Sequence, residues 1–197
     1  MATLEREATG RVVGSRGQVE STRVQIAKVD GRGAVIEVND MLDSDPKLSK
    51  VQFVLVHYDT STNKETASAR HWMDADTFKA VARVVQAGQY EDGAIYVDRK
   101  GSERAGVLEA RVLSIRFQPD QKLPFRFVLQ NGPGETIGRG AVKQAPGTTW
   151  TTDLMIALSR WDMLTLMGDC LDYVRDWELR HFKERQAARS ITRMPIV

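Results

Sequence analysis

His57, His71 and His181 are the only histidines of the chain, and Cys170 is its only cysteine. No H-x-H or H-E-x-x-H spacing joins the histidines, so a metal centre lacks its ligand set. A lone histidine on a strand is expected as a satisfied or half-buried side chain. A single cysteine excludes a disulfide framework and a multi-cysteine metal site, and a reducing cytoplasm is the expected setting. Cys170 falls on an apolar helix face and reads as buried packing. G-x-S-x-G, a Walker sequence and G-x-G-x-x-G are all missing. Gly31-Arg32-Gly33 opens a strand, not a helix, and so aims no helix N-terminus at a phosphate. Asn131-Gly132-Pro133-Gly134 reads as a hairpin turn. The carboxylate pairs Asp74/Asp76 and Asp169/Asp172 sit at helix starts or surfaces, where capping and solvation account for them. No reaction and no cofactor follow from these residues, and the chain reads as a non-enzyme.

What the sequence does carry is aromatic and basic residues interleaved on strands. Alternate side chains of a strand point to opposite faces, so Pro124-Phe125-Arg126-Phe127-Val128 shows rings on one face and a cation on the other. Sheet faces and edges that combine rings with Arg and Lys suit single-stranded nucleic acid. Bases stack on rings at roughly 1–3 kcal/mol each, and cations neutralise phosphates. The candidate contacts are Lys50, Gln52, Tyr58, Lys64, Arg70, Trp72, Arg111, Arg116, Arg126, Lys143 and Trp150, whereas Phe53, Phe125 and Phe127 are expected in the core. Net charge is only +2 over 197 residues. Its distribution is uneven: Arg99 to Lys143 holds nine cations against four carboxylates, while Asp40, Asp43 and Asp45 form an acidic segment. A solvated sheet face explains such an excess as readily as an anionic partner does.

The elements that must position these residues are mostly strands. Thr22–Val29, Ala34–Asn39, Val51–Asp59 and Glu65–Met73 alternate or run apolar as strands do, with turn residues at Gly31–Gly33 and Thr60–Lys64. A helix from Asp74 to about Ala87 follows, with Asp74 as N-cap, Gly88 as stop, and Phe78, Val81, Ala82 and Val85 as its stripe. The pattern restarts after Gly93: Ala94–Asp98, Val107–Phe117, Pro124–Gln130 and a Gly-interrupted strand Thr136–Gln144, with Thr148–Leu158 leading into a second helix. That helix, Ser159 to about Arg185, carries Met163, Leu166, Met167, Cys170, Val174 and Trp177 on one face. Ser159 and Asp162 form its start signal. Under a constant shift Asp74 overlays Ser159, Thr77 overlays Asp162 and Phe78 overlays Met163, so the halves read as two sheet-plus-helix units, 21–89 and 93–185, within one domain. Residues 1–20 read as a flexible arm and 186–197 as a basic tail. The first twenty residues carry Glu5, Glu7 and Glu20 without an apolar core, so no signal or transit peptide is expected. No apolar run approaches the ~20 residues of a membrane span.

In this order of elements the chain resembles the Whirly family, whose fold is shared with a transcriptional coactivator and the kinetoplastid guide-RNA-binding proteins. The likeness is carried by Val112-Leu113-Ser114-Ile115 before a turn, Phe125-Arg126-Phe127-Val128-Leu129-Gln130-Asn131 after it, and Ile156-Ala157-Leu158-Ser159 entering the long helix. Trp72-Met73-Asp74-Ala75-Asp76-Thr77-Phe78 is similar in outline. The Lys-Gly-Lys-Ala-Ala-Leu stretch that Whirly proteins carry on an early strand has no counterpart here. The resemblance implies an α+β fold of two packed antiparallel four-stranded sheets, each followed by a helix (ββββα twice). It also implies sequence-tolerant binding of single-stranded DNA, or RNA, and self-assembly to a homo-oligomer, commonly a tetramer through the helices.

Two other readings compete. An assembly module would use its strand edges and long helix for self-association alone. A small β-barrel enzyme would bind a flavin or another ligand at a subunit interface, which an absorbance spectrum detects.

Overall fold

The computed structural model describes residues 24–43, 49–104, 106–138 and 141–184; the expected arm 1–20 and tail 186–197 lie outside them. Four strands, β1 (Gln25–Gly31), β2 (Ala34–Met41), β3 (Lys50–Tyr58) and β4 (Glu65–Asp74), pair in sequence order as an antiparallel meander. Helix α1 (Ala75–Gln86) follows. A second antiparallel sheet is built from β5 (Gly93–Arg104), β6 (Val107–Phe117), β7 (Phe125–Thr136), β8 (Val142–Gln144) and β9 (Thr152–Leu158), and helix α2 (Arg160–Arg180) closes the chain. The class is α+β, as expected.

The second sheet has five strands, not four. The strand expected over 136–144 is reduced to three residues, because Gly138 and Gly147 turn the chain at positive φ on either side of it. The segment expected as a lead-in to α2 is instead a full strand beside β7. Leu154, Ile156 and Leu158 of β9 face Leu129, Phe127 and Phe125 in register, so their alternation matches the apolar face already presented by β7.

The inner faces of the two sheets meet in one core. Phe53 on β3 lies 6.1 Å from Phe78 of α1 and 5.8 Å from Phe127 of β7, joining both sheets and a helix through one ring. Tyr90, Phe117 and Phe125 form a second aromatic group with centroids 4.6–5.2 Å apart, a separation that favours tilted and edge-on packing. Cys170 is buried in this core, and burial pushes its thiol well above the usual range, so it packs as an inert apolar group.

Ser159 caps α2 through its predicted partner. Its Oγ accepts from the Asp162 amide at 3.1 Å, and the Asp162 carboxylate accepts from the Ser159 amide at 3.2 Å. Asp74 stands at the N-cap of α1 but its side chain caps nothing; the carboxylate turns instead towards Lys100 Nζ at 3.4 Å. Lys79 of α1 reaches Glu178 of α2 at 2.6 Å and ties the helices together. The acidic end of β2 is pinned to α2. Tyr173 donates to Asp40 at 2.7 Å and Trp177 Nε1 to Asp43 at 3.1 Å. Burial, then the Asp40 bond, raises the Tyr173 hydroxyl to about 12.

Candidate nucleic-acid interface

The second sheet turns one face to the core and one outward. On β6 and β7 the inner residues are Leu113, Ile115 and Phe117 with Phe125, Phe127 and Leu129. The alternate positions Val112, Ser114 and Arg116, with Arg126, Val128 and Gln130, therefore point outward. On β5 a bulge between Ala94 and Tyr96 resets the alternation. It sends Tyr96, Asp98 and Lys100 inward and Val97 and Arg99 to the outer face.

Arg116 and Arg126 are direct Cα partners across β6 and β7. Like charges directly opposite on a sheet repel. Among the described residues neither makes an ion pair, and Arg126 Nε is buried without a hydrogen-bond acceptor. Arg99 likewise has no carboxylate partner among the described residues.

A roof partly covers this face. Strand β8 pairs with the far end of β7, Gly134 to Thr136, and folds back over the β5–β6 hairpin. Its Val142 is 3% exposed because it sits in a notch left by two glycines. A Cβ on Gly101 would overlap Val142 Cγ2, and one on Gly134 would lie 2.5 Å from Val142 Cγ1. Gly132 lets the chain at Trp150 pack tightly, though less so, since a Cβ there would come within 3.2 Å of both the Trp150 Cα and its ring. The turn at Pro146-Gly147 is held by Gln144, whose Nε2 donates to the Thr148 carbonyl at 2.7 Å.

Between roof and sheet lies a cleft of about 280 Å³. Arg99, Arg116 and Lys143 supply its cations, Ser114, Gln130 and Gln144 its neutral polar groups, and Trp150 its ring; among the described residues no carboxylate lines it. Lys143 is paired with Glu135 at 2.8 Å, so Arg99 and Arg116 carry the unbalanced charge.

The structure thus brings together Arg116, Lys143 and Trp150 of the expected contacts, with Arg126 beside Arg116. It adds Arg99, Ser114, Gln130 and Gln144. The signal for Arg99 lay in the basic excess after residue 99, but its facing depends on the bulge.

Arg111 and Trp72 meet elsewhere, at the seam between the sheets. The guanidinium lies 5.6 Å over the indole and is held by Glu109 at 2.8 Å. Lys100 donates to the Trp72 carbonyl at 2.8 Å, and His71 pairs with Asp98 at 2.9 Å. Burial pushes the Asp98 carboxyl up, but the His71 and Lys100 bonds and charges outweigh it and hold the group below the usual carboxylate range. These residues join β4 to β5 and β6.

Lys50, Tyr58, Lys64 and Arg70 lie on the first sheet or its β3–β4 turn and line no part of the cleft. Gln52 corrects its expectation: it is 0% exposed and accepts from Asn39 Nδ2, so no ligand reaches it in this fold. Phe53, Phe125 and Phe127 are core residues. His57 meets the Met155 carbonyl at 3.0 Å across the sheets. Among the described residues no group of His, Cys, Asp or Glu is arranged to hold a metal ion, and no helix is long and apolar enough to cross a membrane.

The chain matches no protein-family model, no curated protein and no solved structure.

Proposed function

We propose that the chain binds single-stranded nucleic acid across the outer face of its second sheet and carries out no reaction. The observation that carries this reading is the Arg116–Arg126 pair, two guanidiniums set opposite each other with no ion-pair partner among the described residues. Phosphates would offset a repulsion that costs the empty protein stability. Arg99 extends the cationic track, and Trp150 offers a ring to a base. A duplex presents its bases stacked and paired, so a half-roofed cleft favours a single strand. On this reading the two sheets and their helices form a Whirly-like arrangement in a cytoplasmic protein.

Anisotropy of labelled oligonucleotides tests the proposal. Affinity for single strands should exceed that for duplex. With three phosphate contacts, log K should fall against log salt with a slope of about −2. Duplex binding of equal strength, or no binding at low salt, refutes it.

A second surface favours self-association. Trp161 is 77% and Leu179 74% exposed on α2, with Leu164 and Phe182 also outward. Residues spaced by three and four share a helix face, so Trp161, Leu164 and Leu179 lie along one stripe, apolar at both ends, with Phe182 just past the C-cap. Asp172 and Arg175 lie between them. Two antiparallel copies of α2 would place the Trp161 end of each on the Leu179 end of the other. Such a pairing would supply the homo-oligomer, independently of nucleic acid.

A further inference from the structure

We infer that the roofed cleft holds one nucleotide as a unit, base against Trp150 and phosphate between Arg99 and Arg116, so that the protein binds free nucleoside monophosphates. The inference rests on the nucleic-acid reading above and narrows it from a surface to a pocket. Three features carry it.

The first is size. A cleft of about 280 Å³ falls just under the roughly 300–1,000 Å³ range of small-molecule sites. It suits one base with its sugar and phosphate, not a run of stacked bases. The second is the roof. An open sheet would let successive bases stack side by side, but β8, seated by Val142 in the notch of Gly101 and Gly134, walls off one end of the face. The third is the division of chemistry inside. Arg99 and Arg116 supply guanidiniums that recognise phosphate oxygens in bidentate fashion. Gln130 has an amide with both donor and acceptor and, among the described residues, no side-chain hydrogen bond that would occupy it. Such an amide can pair with the edge of a base. Trp150 offers a π-face, which every base can use. The lining thus offers groups for a phosphate and groups for a heterocycle within one cleft.

The test is calorimetric titration of the full chain with each nucleoside monophosphate, beside inorganic phosphate and the bare nucleosides, with oligonucleotide anisotropy run in parallel. Monophosphates should bind and displace a labelled oligonucleotide. Phosphate alone and nucleosides alone should bind at least tenfold more weakly, since each meets only half of the cleft. Trp150→Ala should weaken monophosphate binding about tenfold and Trp150→Phe should restore part of it, which separates stacking from a folding defect. Gln130→Glu places a carboxylate in the cleft and should abolish binding in a folded protein. If oligonucleotides bind with the stated salt slope while monophosphates neither bind nor compete, the pocket is overturned and the surface reading survives. If phosphate binds as tightly as the monophosphates, the cleft is an anion site only and the inference fails. If neither oligonucleotide nor monophosphate binds, the underlying reading fails with it.

Discussion

His71 Nε2 lies 2.9 Å from Asp98 Oδ2, and this contact helps bridge β4 of the first sheet to β5 of the second. The imidazole is 2% exposed, so its partner is hard to replace with water. The Asp98 carboxyl is held below its ordinary range in the folded chain. A depressed carboxylate contributes stability that is complete above the unfolded value, about 4, and is lost as pH falls through the native value. Urea unfolding of the wild type from pH 7 to pH 3 should therefore show a decline setting in below about pH 4. Asp98→Asn should be less stable at pH 7 by about 1–3 kcal/mol and should show a flatter acid limb. A variant with an unchanged acid limb removes Asp98 from the account.

Arg116 and Arg126 should trade stability for binding. Arg116→Gln removes one of two facing like charges, which at sheet positions costs roughly 0.2–1 kcal/mol. The variant should unfold at slightly higher urea, yet bind single strands more weakly, with the salt slope reduced in magnitude by about 0.7. Loss of binding together with loss of stability would mean that the side chain is structural.

Gly101→Ala should dislodge β8. The three heavy atoms nearest the new methyl group all belong to Val142. Overpacking of this kind costs typically 1–3 kcal/mol. Val142→Ala in the same chain removes the overlapping methyl groups and should recover part of the loss. A double-mutant cycle by chemical denaturation measures that coupling, and zero coupling would show that the notch does not seat the roof.

Leu179→Glu tests the α2 surface. The side chain is 74% exposed, so folding stability should move by no more than about 0.5 kcal/mol. Sedimentation should nevertheless show a shift towards the monomer. An unchanged mass at matched concentration clears this face of any role in assembly.

What the sequence made legible was local. Ser159 and Asp162 declare the start of α2 because a capping box needs only residues three apart. The β-branched run of β3 likewise marks a central strand from its own composition. The rest depended on partners distant in sequence. Arg99 faces the cleft only because a one-residue bulge near Ala94 reverses the alternation of β5. Gln52 looks like a polar strand residue open to ligand, but the fold encloses its side chain, which accepts from Asn39 of β2. The segment 152–158 becomes a strand because Leu154, Ile156 and Leu158 find β7, while glycines cut short the more obvious candidate before it. Facing and strand choice are settled by register, which spacing along the chain does not encode.

The brevity of β8 also sets a tempo. Three register pairs hold it to β7, whereas seven hold β9 to the same strand. Segments so lightly tethered detach at a small fraction of the free energy that melts the whole molecule. Amide protons of Val142–Gln144 should exchange with solvent well ahead of those in β9. The residence time of a guest beneath that flap would then be governed by how often three residues lift away, not by the lifetime of the body that carries them.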